Sequence, residues 1–219
     1  MIPLRALLLR NSTPAITLAI IAVNVICFLF EISLPYYLRE RFIAHYALIP
    51  DQLRLTSFVT SMFLHGGWLH LIGNMWFLWV FGSHIEDAMG SAKFLIFYFI
   101  SGIASALVQT FTNLGSPIPT IGASGAIAGV MGAFLILYPR VRIVTLIFIV
   151  VFITTIELPA AIMLIYWFAL QVVSGLGSLA SVSHAQGIAW FAHVGGFLAG
   201  ILLVRVFAGD RGRYRYRSY

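Results

Sequence analysis

Long runs of apolar residues, separated by short polar stretches, dominate the pattern along this chain. A helix needs about 20 mostly apolar residues to cross the ~30 Å hydrocarbon core of a bilayer. The runs are continuous and lack the period-two alternation of membrane barrel strands, so they predict helices. The predicted spans cover residues 15–30, 64–82, 94–108 with an uncharged extension to 114, 121–138, 158–176 and 188–204.

A further apolar stretch, Ile143–Ile156, is too short for a full helical crossing. It has 14 residues, is rich in β-branched side chains and ends at Glu157. That length favours an interfacial or re-entrant segment. The pattern as a whole therefore predicts an all-α membrane protein with six transmembrane helices.

The composition supports the bilayer as the solvent of this chain. Apolar residues make up 61% and charged residues 9% of the sequence, against about 45–50% and about 25% in globular proteins. A soluble chain of this length would need many more charges to cover its surface.

The single cysteine, Cys27, excludes a disulfide framework within the chain. No motif predicts a cofactor, and a metal site is disfavoured because His65 and His70 are five apart and no HExxH motif occurs.

The positive charges predict the orientation of the spans. With six crossings, ten of the 13 lysine and arginine residues lie on the side of both termini and three lie on the other side. The positive-inside rule then places both termini in the cytoplasm. We interpret residues 15–30 as a retained first span, because the run is long for a signal peptide and no small-residue cleavage site precedes Glu31.

The sequence predicts one domain, since it contains no repeat of fixed period and no flexible linker. Its parts are a cytoplasmic N-terminal segment at 1–12, a six-helix domain at 13–207 and a basic cytoplasmic tail at 208–219. Arginine alternates with tyrosine in the tail, which favours contact with anionic lipid headgroups. A nucleic-acid partner is not expected, because no accompanying binding domain is present. The short ends without a transit peptide suggest a bacterial plasma membrane.

Polar side chains inside a membrane span are costly and mark function by default, and four of those in the predicted spans attract notice: His70, Asn74, Ser124 and His193. His70 and Asn74 are four apart and share one helix face. Ser124 lies three residues into the fourth span, and His193 lies five residues into the sixth. Spans two, four and six all run inward, so the four groups are expected at similar depth in the outer part of the membrane.

Ser124 and His193 are the candidate nucleophile and general base. A serine hydroxyl becomes a good nucleophile when a base takes its proton. No carboxylate is expected at the matching depth, so the prediction is a two-residue dyad. The side chains of His70 and Asn74, and the backbone N–H groups that begin the fourth span, are candidate donors to an oxyanion.

Small residues at intervals of four predict close packing between the fourth and sixth spans. Gly125 and Gly129 form such a face on the fourth span, and Gly196 and Gly200 form one on the sixth. Small faces let helix backbones approach closely in lipid. That approach is what would bring the serine hydroxyl and the imidazole within ~3 Å of each other.

These motifs resemble the rhomboid proteases over residues 60–204. The resemblance rests on His65-x4-His70-x3-Asn74, on Gly82, Glu86 and Gly90, on Gly122-Ala123-Ser124-Gly125, and on Ala192-His193-x2-Gly196-x3-Gly200. It implies a six-helix core whose site opens to the extracytoplasmic side. It also implies Ser124 as nucleophile, His193 as general base, and an oxyanion hole made by His70, Asn74 and the Ser124 amide. The implied substrates are single-span membrane proteins, cut in or near the transmembrane segment.

Two positions depart from the family pattern. Many members carry a Trp-Arg pair in the first external loop, where this chain reads Leu53-Arg54. Many also have an aromatic residue four positions after the serine, packed on the histidine, and that position is Ala128 here.

Two function classes are consistent with this sequence, a protease and a non-catalytic relative that binds membrane clients. Such relatives typically lack the serine or the histidine, and the presence of both favours the enzyme. A transporter or channel is disfavoured, because no pairing of charges runs across the predicted membrane interior.

A structural role is the alternative for the polar residues, since Ser124 alone could bond to a carbonyl of its own helix. The shared depth of all four polar groups argues against a purely structural role.

Overall fold

Helices form most of the part of the chain that the computed structural model describes, which is residues 1–149, 152–180 and 189–208. A π-helical turn at Leu78–Gly82 joins the helix Trp68–Phe77 to the helix Ser83–Met89 without a break. Short 3-10 turns occur at Pro50–Gln52 and Ser61–Phe63. The helices are α1 (Ala15–Ser33), α2 (Tyr36–Tyr46), α3 (Ser57–Thr60), α4 (Trp68–Phe77), α5 (Ser83–Met89), α6 (Ser91–Thr112), α7 (Ser124–Leu137), α8 (Ala160–Ala180) and α9 (Trp190–Ala208).

Four of the described helices, α1, α6, α8 and α9, are long and apolar enough to cross a membrane. The second predicted span contains α4 and the π turn, and the helix continues past its predicted end through α5. The fourth predicted span contains α7. With 14 residues, α7 is only about 21 Å long. Every residue from Gly125 to Phe134 is buried, so α7 contacts protein over most of its length and forms the centre of the bundle.

The outward faces of the long helices carry large exposed apolar side chains. Val173 on α8 is 66% exposed, and Leu202 and Val206 on α9 are 76% and 75% exposed. Soluble proteins rarely present such extended apolar surfaces to water. Together with the length of these helices, this surface identifies a membrane-embedded protein that crosses the bilayer several times.

Helices α7 and α9 pack with their backbones in contact. A Cβ atom at Gly196 would overlap the carbonyl oxygen of Gly125, and one at Gly200 would overlap that of Gly129. At Gly132, a Cβ atom would overlap the carbonyl of Phe197. Only glycine fits at these crossing points, and close packing of this kind is a main source of helix association in lipid.

The buried carboxylate of Glu86 caps the start of α1, although the two elements are far apart in sequence. It accepts hydrogen bonds from the Ile16 N–H at 2.9 Å, from the Thr17 N–H at 2.7 Å and from the Thr17 hydroxyl at 2.8 Å. The Ser91 hydroxyl also donates to it, at 2.6 Å. Helix N-termini have unsatisfied N–H groups and favour negative charge, so Glu86 fastens α1 to the α5–α6 corner.

We expect Glu86→Ala to destabilise the protein by about 3 kcal/mol, because several buried donors lose their acceptor together. The thermal midpoint of the purified protein in detergent measures the effect. Glu40→Ala is the matched control, since Glu40 lies exposed on α2. Equal midpoints for the two variants would contradict the capping role.

The all-α expectation is wrong for two segments, β2 (Arg142–Ile149) and β3 (Phe152–Pro159), which pair as antiparallel strands. A third strand, β1 (Ile2–Ala6), comes from the predicted N-terminal segment and pairs with β2, giving the order β1-β2-β3. Isoleucine, valine and threonine are abundant in this stretch, and β-branched residues favour strands.

The hairpin returns the chain to the point where α7 ended. Arg142 is paired with Pro159 at its base, and the Ala160 N–H donates to the Val141 carbonyl at 2.8 Å. Arg142 also forms an ion pair with Glu157 at 3.2 Å. Residues 143–156 therefore do not make a single crossing, and α8 starts beside the end of α7. The predicted basic tail lies outside the described residues from 209 onward.

Candidate active site

Three helices place their first turns next to one another. Ser124 is the first residue of α7, His193 lies in the first turn of α9, and His70 lies in the first turn of α4. The side chains that the sequence singled out are therefore brought together at one end of the bundle.

The Ser124 hydroxyl and the His193 imidazole are in hydrogen-bond contact, with Oγ 2.8 Å from Nε2. Both side chains are partly exposed. This is the distance at which a neutral imidazole can accept the hydroxyl proton. Because Ser124 begins α7, its surroundings also include the N–H groups at the helix start, where negative charge is favoured.

A glycine turn places the serine. Gly122 has φ 118°, a conformation that glycine adopts without the steric cost of a Cβ atom. Its N–H donates to the Ser61 carbonyl at 2.9 Å. A Cβ atom at Gly122 would lie 2.7 Å from His70 Nε2 and 3.4 Å from Asn74 Nδ2. The turn before Ser124 is thus in close contact with both side chains on α4.

The hydrogen-bond pattern orients these two side chains as donors. The Gly66 N–H donates to His70 Nδ1 at 3.4 Å, so the ring proton of neutral His70 lies on Nε2, which faces Gly122. Asn74 is 8% exposed, and its Nδ2 has no hydrogen-bond partner among the described residues. A buried donor without a partner needs an explanation. An oxyanion bound beside Gly122 would supply the missing acceptor.

His193 is held by residues that the sequence analysis did not select. Gln171 Oε1 lies 2.7 Å from His193 Nδ1. The Trp167 ring packs on the imidazole, with the ring centroids 5.8 Å apart. Trp167 on α8 thus occupies the role of the aromatic residue that is missing at Ala128. The available signal was a glutamine inside a predicted span, which meets the same criterion that selected Asn74.

Polar residues of α6 fix the first turn of α9. The Ala192 N–H donates to Gln109 Oε1 at 3.1 Å, and the Ser105 hydroxyl donates to the Ala192 carbonyl at 2.7 Å. The sequence analysis missed both side chains, although each lies in an apolar run. They hold the backbone that carries His193 and satisfy polar groups that lipid could not.

The loop before α4 is also anchored by side chains. The His65 N–H donates to Glu31 at 3.2 Å, and the His65 ring lies 5.1 Å from the His70 ring. Arg54 donates to the His45 carbonyl at 2.8 Å, which ties the segment between α2 and α4 to the end of α2.

Among the described residues, no three His, Cys, Asp or Glu side chains are grouped to hold a metal ion.

Comparison with known proteins identifies the family of this arrangement. Residues 52–209 match the family model for the Rhomboid domain. The chain is 33% identical over 114 residues to Rhomboid protein 1, mitochondrial, of Saccharomyces cerevisiae, covering 49% of this chain and 33% of the relative. It is 34% identical over 134 residues to Rhomboid protease GluP of Bacillus subtilis, covering 59% and 26%. Rhomboid-like protease 3 of Toxoplasma gondii is 29% identical over 161 residues, covering 74% and 55%. The chain thus spans about a quarter to about half of the length of these curated relatives.

Proposed function

The chain belongs to the rhomboid family, and on this premise we propose that it is an intramembrane serine endopeptidase with Ser124 and His193 as its catalytic dyad. The observation that carries the proposal is the 2.8 Å contact between Ser124 Oγ and His193 Nε2 within a membrane-embedded bundle. Two relatives with overlapping sequence are named as proteases.

In the proposed first step, Ser124 Oγ attacks the carbonyl carbon of the scissile peptide bond. His193 Nε2 takes the hydroxyl proton as the new C–O bond forms, so the nucleophile gains its charge only as it reacts. The carbonyl oxygen becomes an oxyanion. Its proposed donors are His70 Nε2–H, Asn74 Nδ2–H and the Ser124 backbone N–H. The first two side chains lie beside the Gly122 turn that precedes Ser124, which supports this assignment.

In the second step the C–N bond breaks, and the imidazolium of His193 gives its proton to the leaving amine. The product is an acyl-enzyme on Ser124. A water molecule then attacks the ester, with His193 again acting as base and afterwards as acid. No carboxylate is required in this scheme, because the imidazole is held by neutral groups on α8.

We expect Asn74→Ala to lower kcat about a hundredfold while leaving KM nearly unchanged. One oxyanion donor is lost, and that donor acts mainly on the transition state. Hydrolysis of a single-span reporter protein by the purified variant measures both constants. The control is Asn24→Leu, which removes a buried amide on α1 whose Nδ2 bonds to its own helix. An Asn74→Ala enzyme with wild-type kcat would remove Asn74 from the oxyanion hole.

The proposal includes a topology of six crossings with both termini in the cytoplasm and the site open to the extracytoplasmic side. It is supported by ten positive residues on one side against three on the other and by a hairpin that returns the chain to its starting side. Residues 13–207 would then form one protease domain. Its proposed substrates are single-span membrane proteins, and its proposed location is a bacterial inner membrane.

Labelling with a fluorophosphonate tests this function without a known substrate. The purified protein in detergent is expected to bind the probe covalently, and mass spectrometry of the labelled peptide is expected to assign it to Ser124. Failure of the folded protein to label would overturn the protease and favour a non-catalytic protein that binds membrane clients.

A further inference from the structure

The side-chain amide of Gln171 connects α8 to the catalytic imidazole. Gln171 is 7% exposed, although it lies on a helix whose outer face meets lipid. Its Oε1 is 2.7 Å from His193 Nδ1, and its Nε2 donates to the Trp167 carbonyl at 3.3 Å. In the described part of the chain, the two ring nitrogens of His193 therefore contact Gln171 on one side and Ser124 on the other.

The second contact of the amide fixes its orientation. The Trp167 carbonyl can only accept a hydrogen bond, so the NH₂ group of Gln171 must face it. The amide oxygen then faces His193, and because that oxygen only accepts, the imidazole proton must lie on Nδ1. The lone pair of the neutral ring is thereby placed on Nε2, opposite the Ser124 hydroxyl at 2.8 Å. A base needs its lone pair at that position.

The ring contact adds a second restraint from the same helix. Trp167 and Gln171 are four residues apart, so they lie on one face of α8. The indole packs on the imidazole at 5.8 Å between centroids, which limits rotation of the ring, while the amide selects the tautomer. Both restraints depend on the position of α8 against α9.

We propose that Gln171 is a positioning residue that holds His193 in the Nδ1–H tautomer, in the role that a carboxylate fills in a three-residue triad. The inference rests on the proposed protease function. A neutral amide orients the imidazole without adding a buried charge, which is costly in a membrane interior. It also makes α8 part of the catalytic machinery, since displacing that helix would release the base.

The test compares three substitutions by their rates of fluorophosphonate labelling. Gln171→Leu removes the acceptor and keeps the bulk, and Gln171→Asn keeps the amide but shortens its reach by one methylene. Each is expected to lower the maximal labelling rate about tenfold to a hundredfold, because a buried hydrogen bond to the base is lost, with the half-saturating probe concentration unchanged. Gln171→Glu restores an acceptor and is expected to recover most of the rate.

The pH profile separates positioning from packing. In Gln171→Glu an ionised carboxylate at Nδ1 would favour the imidazolium, so the acidic limb of the rate profile is expected to move to higher pH. An unchanged acidic limb in Gln171→Glu would show that the side chain at 171 does not bond to Nδ1, and it would overturn the positioning role. Asn24→Leu is the control for removing a buried amide, and it is expected to label at the wild-type rate. Thermal midpoints report whether each variant is folded.

The outcomes distinguish this inference from the function on which it rests. An active wild type with Gln171→Leu labelling at the same rate would overturn the positioning role alone. Loss in all three substitutions, with Gln171→Glu no better than Gln171→Leu, would also overturn it and indicate packing. A folded wild type that does not label would overturn the protease function and this inference together.

Discussion

Ser124→Ala is expected to reduce peptide-bond cleavage by about 10⁵-fold or more. The alanine removes the only group proposed to form the acyl-enzyme, and losses of this order follow removal of a catalytic serine in other serine proteases. Cleavage of a single-span reporter in detergent or liposomes measures the effect. The fold should be kept, because the hydroxyl contacts a partly exposed imidazole and not the buried core.

A matched control and a double variant sharpen this test. Ser101→Ala removes a buried hydroxyl on α6 that has no hydrogen-bond partner among the described residues, and it is expected to remain active. His193→Ala should lose nearly as much activity as Ser124→Ala, and combining the two should add little, since the groups act as one unit. Additive losses would show that the two residues do not act together.

The sequence was sufficient to locate the long apolar helices and to predict that the main site residues meet. Apolar runs mark helices in lipid because unsatisfied backbone groups are excluded there, and α1, α6, α8 and α9 begin and end close to predicted runs. The helices α2 and α3 lie between the first two runs and were not predicted. The expected depth match of Ser124 and His193 corresponds to their contact at 2.8 Å. Roles in catalysis remain predictions, because a contact alone does not establish turnover.

The third strand of the sheet could not be predicted because its pairing is non-local. Residues 143–156 were recognised as unsuited to a crossing helix, and β2 pairs with the neighbouring β3. However, β2 also pairs with β1, more than 130 residues earlier, with Ile2 opposite Leu146. Nothing in the local pattern of residues 1–12 indicates that partner. The N-terminal segment was therefore expected to be separate, whereas Trp76 on α4 donates to the Pro3 carbonyl at 2.5 Å.

The support of His193 was missed for a different reason. The predicted site contained histidine, serine and asparagine but neither Gln171 nor Gln109, although a neutral amide in a span also needs hydrogen-bond partners. The two glutamines contact the imidazole and the backbone of the same helical turn. The geometry of the candidate site thus depends on α6 and α8 as well as on α7 and α9.

The distance between the dyad residues depends finally on how closely α7 and α9 approach. The serine side chain is short and the imidazole ring is rigid, so neither can bridge a wider gap between the two helix backbones.

A Cβ atom at Gly200 would overlap the Gly129 carbonyl, and neither backbone can move aside without separating the helices. We therefore expect Gly200→Ala to lower the free energy of unfolding by about 3 kcal/mol and to reduce labelling of Ser124 at least tenfold in the protein that remains folded. Thermal midpoint and labelling rate measure the two effects. Gly177→Ala on α8 is the control, since a Cβ atom there meets nothing within 4 Å. If the two alanine variants were equally stable and equally active, close backbone contact would not be what holds the dyad together.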